Sequence, residues 1–195
     1  MKITPVTLPF DLAMSDPNRG KGLHVSDIYN DYFQDTEPER YSRDGKAPDL
    51  KLAVGLAWEQ YLERTLVANG VLCARPGELR SPEGIFYSPD LLIVNGQDRI
   101  GEIKATWLSS KVGPTHKKFD KFMVQAMIYC HWCEIPRVRF YVLHINGTWT
   151  FKTKSGHDPI MNIWDCDFTA RDLHTNHSLL MNHAKDKGFL KKERT

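Results

Sequence analysis

The hydrophobic pattern of this chain changes period part-way along, and that change constrains the fold more than any other feature. Over residues 49–68, Leu52, Leu56, Leu62 and Leu66 recur at helical spacing, with Asp49 placed to cap the start and Asn69-Gly70 to close the end. From Gly84 onward apolar residues come instead in short or alternating runs, 84–87, 90–94 and 99–105, the last two joined by the turn-forming Asn95-Gly96-Gln97-Asp98. This spacing predicts an antiparallel meander of three strands. A second long helix is predicted over 117–133, where Phe119, Phe122, Met123, Ala126, Met127 and Cys130 are apolar, stopping before Pro136. Residues 137–144 and 149–154 read as two more strands around Asn146-Gly147, residues 169–187 as a closing helix and 26–33 as a short early one.

At 195 residues the chain suits one domain: an acidic, proline-punctuated arm or cap (1–48), a core (49–155) and a C-terminal helix and tail (156–195). Lysine and arginine number 26 against 24 acidic residues, so contact with a polyanion must come from a local patch. Four cysteines are too few for a disulfide scaffold, and Met1-Lys2-Ile3-Thr4-Pro5 lacks the long apolar run of a secretory signal. We therefore expect a reducing, cytoplasmic setting. No stretch approaches the roughly 18 apolar residues of a membrane span.

Chemistry concentrates in one hairpin, at Ser88-Pro89-Asp90 and Glu102-Ile103-Lys104. Alternate side chains of a strand share a face, so Glu102 and Lys104 point the same way, about 7 Å apart along the strand. A turn of two, three or four residues sets Asp90 opposite Gly101, Glu102 or Ile103, always within one residue of Glu102. Adjacent carboxylates repel, and a hard divalent cation such as Mg²⁺ or Mn²⁺ relieves that repulsion through oxygen ligands. A lysine beside them can orient a water and offset charge on a phosphate under attack. By itself the same string also suits an ordinary surface hairpin.

Two other elements bear on this group. Glu59 lies on the leucine stripe of the first long helix, where an unpaired carboxylate is costly, and Gly55 one turn earlier offers a close approach to another backbone. Gln125 and Tyr129, four apart on the second long helix, share a face; an amide and a phenol there suit a phosphate, a base or the lysine. Lys111, Lys117, Lys118 and Lys121 gather before and within the start of that helix, as a phosphate-contacting cluster or a solvated face. His174, His177 and His183 lack a familiar zinc-ligand spacing and read as surface residues.

Taken together, Gly55-Leu56-Ala57-Trp58-Glu59, Pro89-Asp90, Glu102-Ile103-Lys104 and Gln125-Ala126-Met127-Ile128-Tyr129 resemble, in order and spacing, the PD-(D/E)xK nuclease superfamily. The glutamine followed four residues on by tyrosine is similar to the RecB-like and lambda-exonuclease-like branch. The resemblance covers about residues 50–145. It implies an α/β, restriction-endonuclease-like core with a central mixed sheet flanked by helices. It also implies Asp90, Glu102 and the main-chain carbonyl of Ile103 as ligands to Mg²⁺ or Mn²⁺, Lys104 as the catalytic lysine, Glu59 as an additional acid and Gln125 as an active-site helper. Many RecB-like members carry histidine where Glu59 stands. Some relatives hold an iron-sulfur cluster, but here no cysteine precedes Glu59, and we expect none. The activity implied is hydrolysis of DNA phosphodiesters by metal-activated water. For a chain this small an exonuclease or a structure-directed nuclease fits better than a sequence-specific restriction enzyme; the resemblance also allows a homo-oligomer, since some exonuclease relatives form rings, although the sequence carries no interface signal. The alternatives are a nuclease acting on RNA and a non-catalytic nucleic-acid-binding module that keeps the fold.

Overall fold

The computed structural model describes residues 20–41, 49–94, 97–145 and 160–190. Helix α1 spans Val25–Thr36 and α2 spans Asp49–Ala68, followed by strands β1 (Cys73–Ala74), β2 (Leu79–Arg80), β3 (Phe86–Tyr87), β4 (Leu91–Ile93) and β5 (Arg99–Thr106). A 3₁₀ turn at Lys117–Phe119 leads into α3 (Asp120–Trp132), then β6 (Arg137–His144), β7 (Ile160–Asp167) and α4 (Ala170–Asp186). Five strands form the central sheet in the order β1-β4-β5-β6-β7. The β5–β6 pair is parallel and the others antiparallel, so the sheet is mixed and α3 is the crossover between its parallel strands.

Helices cover both faces, as the two apolar sides of a sheet require. On one face α2 packs Leu62, with Trp58 and Leu66, against Leu91, Ile93, Ile103 and Tyr141. On the other, Ile100, Val138, Phe140 and Val142 meet Phe119, Val124 and Ile128 from α3 and its leading turn, with α1 and α4 closing the layer through Ile28, Phe33, Leu173 and Leu180. The last helix starts at a capping box in which Thr169 and Asp172 satisfy each other's backbone N–H groups. No helix among the described residues is long and apolar enough to cross a membrane.

Three expectations change. The predicted three-strand meander is a two-strand hairpin, β4–β5; Phe86–Tyr87 pairs with Leu79–Arg80 in a separate two-stranded sheet, and Cys73–Ala74 takes the edge beside β4. Residues 156–195 contain not only a helix but also the strand β7, which pairs with β6 along its whole length. The helix predicted from Lys117 begins as a 3₁₀ turn, because the His116 side chain accepts the Lys118 N–H and caps the chain there. The strand expected over 149–154, the turn residues Asn95-Gly96 and Asn146-Gly147, the capping side chain of Asp49 and the chain after residue 190 lie outside the described residues.

Candidate active site

The hairpin register is set by a steric fit. Gly101 faces Leu91 across the β4–β5 pair, and a Cβ at 101 would lie 2.9 Å from the Leu91 Cβ and 3.3 Å from the Ile93 Cδ1. Only a residue without a side chain lets the strands come this close. Continuing the register Leu91↔Gly101 by one residue brings Asp90 beside Glu102, the middle of the three registers the turn permits.

At this end of the ladder the Ile103 N–H donates to Asp90 Oδ2 at 2.7 Å, and Lys104 Nζ lies 3.4 Å from the same oxygen. Lys104 Nζ also lies 2.7 Å from Glu102 Oε2. Glu102 is fully buried, yet neither of its carboxylate oxygens receives a well-directed hydrogen bond from the described residues. Burial pushes its carboxyl up, to about 8, with the Lys104 charge opposing and Asp90 reinforcing the rise. Burial would lower the Lys104 ammonium, but Asp90 and Glu102 outweigh it and hold that group well above its ordinary value.

Glu59 shares this electrostatic neighbourhood from α2. Its carboxyl is raised first by burial and then by the negative charge of Asp90, while Lys104 and Arg75 oppose the shift. Arg75, just past β1, holds it at 3.4 Å and reaches Glu63 at 3.1 Å. The close approach expected of Gly55 is not how Glu59 arrives: a Cβ at 55 would meet nothing within 4 Å among the described residues. The packing of Trp58 and Leu62 on the sheet positions this stretch of α2 instead.

Helix α3 supplies the opposite wall. The Gln125 Nε2 donates to the Tyr129 Oη at 3.1 Å, and Lys104 Nζ stands 6.0 Å from the Phe122 ring centroid. The Tyr129 phenol is held well above its ordinary value by burial and by the nearby Tyr29 and Glu102, with Lys104 and the Gln125 hydrogen bond opposing. Tyr129 is 4% exposed, so it is a buried support for Gln125, not the nucleic-acid contact expected of it.

The basic residues do not form one patch. Lys111 lines a cleft with Gly113, Asn162 and Trp164, whereas Lys117 lies 3.9 Å from Glu37 beside α1. Lys118 is exposed. Lys121 is half-buried with its ammonium 5.8 Å and 5.1 Å from the Tyr29 and Tyr41 ring centroids, and burial lowers its pKa; it is a packing residue rather than a free cation. His177 and His183 pair with Glu83 and Asp31, each at 2.9 Å. Sequence reasoning missed Arg75, which follows a two-residue strand with no periodic signal, and took Phe122 for core alone.

Two carboxylates, with the Ile103 carbonyl adjacent, make a set of hard oxygen donors, and a buried carboxylate lacking a well-directed hydrogen bond is the group a cation would satisfy. The residues fit Mg²⁺ or Mn²⁺.

No family model matches this chain, and no curated protein matches it in sequence. Among solved structures, the crystal structure of SSO0001 superposes with a TM-score of 0.51 at 14% identity, over 91% of this chain and 80% of that one. The structure of LHK-Exo in complex with dAMP gives 0.48 at 13% identity, over 85% of this chain and 89% of that one. The alkaline exonuclease LHK-Exo from Laribacter hongkongensis gives 0.46 at 13% identity with the same coverage. The likeness to SSO0001 is one of fold, and the two exonuclease superpositions are looser.

Proposed function

We propose that this chain is a Mg²⁺- or Mn²⁺-dependent nuclease of PD-(D/E)xK type that hydrolyses DNA phosphodiesters. The observation that carries the reading is Glu102, a fully buried carboxylate without a well-directed hydrogen bond, set beside Asp90 and Lys104 at the end of a strand ladder. Lys104 stands 2.7 Å from Glu102 and 3.4 Å from Asp90, so one ammonium faces two carboxylates and leaves negative charge for a further cation to balance.

Asp90, Glu102 and the Ile103 carbonyl would hold the cation, with Glu59 as a further acid at its rim. A bound divalent ion supplies Lewis acidity, making water a nucleophile near neutral pH and offsetting phosphate charge. The chain's own groups do the positioning. Lys104, held charged by its two carboxylates, orients the attacking water in line with the scissile bond and stabilises charge building on the phosphate. Gln125, braced by Tyr129, sets the α3 wall against which the substrate lies. Lys118 and Lys111 offer exposed ammonium groups for the flanking backbone.

The test is incubation of the purified chain with end-labelled linear DNA, circular DNA, single-stranded DNA and RNA, each with Mg²⁺, Mn²⁺ or EDTA. Cation-dependent loss of linear DNA with circular DNA spared is expected of an exonuclease. Asp90→Ala and Lys104→Ala should each abolish cleavage while circular dichroism stays native. Undiminished cleavage by either variant overturns the proposal, and DNA binding without hydrolysis points to the non-catalytic module.

A further inference from the structure

We propose that Pro89 is a positioning residue: by withholding a backbone N–H from the end of the β4–β5 ladder, it keeps the Ile103 carbonyl open to a cation. This rests on the reading of the pocket given above and assigns a role to a residue that contributes no ligand atom of its own.

The argument is one of register and of which way backbone groups point. Gly101 and Arg99 pair with Leu91 and Ile93, so the same register extended to Ile103 meets residue 89. In an antiparallel pair, the N–H and C=O of one residue point to the same side. The Ile103 N–H points toward β4, because it donates to Asp90 Oδ2 at 2.7 Å. Its carbonyl therefore faces the β4 side as well, and the side chain of Ile103 lies on the other axis, buried in the α2 layer.

An ordinary residue at 89 would complete this pair, its carbonyl taking the Ile103 N–H and its own N–H filling the Ile103 carbonyl. Both groups would then be consumed by the sheet. A proline has no N–H to give. The ladder stops at Leu91, the chain bends at Asp90, and the Asp90 carboxylate takes the N–H that residue 89 would otherwise have bonded. Pro89 itself is buried, with Ser88 exposed before it, so its place is fixed by packing. The missing hydrogen thus leaves the Ile103 carbonyl with no strand partner among the described residues, while the bend at Asp90 gives the Ile103 N–H to an acidic side chain, next to Glu102 and Lys104. Replacing the proline would let β4 zip one pair further, close the carbonyl and loosen the hold on Asp90.

The experiment measures Mn²⁺ binding by the loss of its free electron paramagnetic resonance signal, on the full chain and without substrate. Four proteins are compared: wild type, Asp90→Ala, Pro89→Ala, and a chain carrying L-lactic acid in place of Pro89. Lactic acid is the ester analogue of alanine and, like proline, has no N–H. Pro89→Ala should bind Mn²⁺ about tenfold or more weakly, the usual cost of disturbing a group that orients a ligand, and the lactic acid chain should bind like wild type. With ¹³C at the Ile103 carbonyl, addition of Mg²⁺ should shift its infrared band in wild type and the lactic acid chain but not in Pro89→Ala.

Equal affinity in Pro89→Ala and wild type overturns the inference. A lactic acid chain as weak as Pro89→Ala also overturns it, since ring shape rather than the absent hydrogen would then matter. If wild type binds Mn²⁺ no better than Asp90→Ala, the reading of the pocket fails first, and Pro89 with it.

Discussion

Gly101 and Gly55 should respond to the same substitution with opposite signs. At 101, an added methyl would sit 2.9 Å from the Leu91 Cβ, 3.3 Å from the Ile93 Cδ1 and 3.4 Å from the Leu91 Cδ1. Carbon atoms in contact prefer about 3.5–4.0 Å, so the Leu91 Cβ must retreat by roughly 0.6 Å or more. A Cβ cannot rotate away, and the strands themselves must part. Overpacking of this kind costs about 1–3 kcal/mol, against roughly 0.5–1 kcal/mol gained by removing a glycine from the unfolded chain; the difference spans about 0–2.5 kcal/mol, and because the contact is between backbone-fixed atoms Gly101→Ala should fall in its upper half. Activity should suffer more than stability, because the same movement separates Asp90 from Glu102. Functional groups need placement within about 0.5 Å, and a misplacement near 1 Å costs on the order of 100-fold in rate. At 55, by contrast, nothing among the described residues lies within 4 Å of the new methyl. Gly55→Ala should stabilise by about 0.5–1 kcal/mol through helix propensity alone. Urea unfolding of both variants, with cleavage rates measured alongside, tests the pair. A Gly101→Ala protein as stable and active as wild type would refute the claim that this glycine sets the register.

Other outcomes follow from the same geometry. Glu102→Gln removes the carboxylate 2.7 Å from the buried Lys104 ammonium and leaves Asp90 at 3.4 Å as its acidic partner; thermal unfolding without metal should show a loss of about 1–3 kcal/mol, and Mn²⁺ binding and cleavage should be lost. Asp165 is held at about 2 by hydrogen bonds from Arg139 and Arg99, against the upward pull of burial. With the folded value depressed, the unfolded chain takes up the proton first as the pH falls. The triad's stabilisation is therefore complete above about pH 4 and is lost toward its folded value of about 2, and Asp165→Asn should flatten that limb of an acid-unfolding curve. Lys118→Ala should weaken DNA binding and reduce the salt slope by about one unit, whereas Lys121→Met, which keeps an apolar stem over Tyr29 and Tyr41, should leave the slope unchanged in the same titration.

How much of this was legible depends on how much chain each feature uses. The β4–β5 hairpin spans two apolar runs and a turn, so its existence could be read, and alternation alone confines Asp90 to within one residue of Glu102. Spacing likewise predicted the shared face of Gln125 and Tyr129, because i and i+4 on a helix must meet. What stayed hidden lacks periodicity. Strands β1 and β2 have two residues each, too few to show alternation, and Arg75 follows from the first of them. In β7 the alternation exists but is inverted in kind: Asn162, Trp164 and Cys166 are half-buried, while Met161 and Ile163, at 42% and 50% exposed, face outward. A strand with amide and thiol inward and aliphatics outward does not announce its face. The basic cluster misled for the complementary reason. Sequence proximity placed Lys111, Lys117, Lys118 and Lys121 together, but the loop sends Lys111 to the β7 side and the 3₁₀ turn rolls Lys121 against Tyr29 and Tyr41. The pocket's charge, in contrast, follows from residues that both levels place together. Glu59, Asp90 and Glu102 face one Lys104, and Arg75 is shared between Glu59 and Glu63, outside the central pair. When all three acids are ionised, the cluster carries more negative charge than its lysine can balance, and Glu102, its innermost member, is sealed from water that could screen it. A divalent cation would supply the balance that the fold leaves undone.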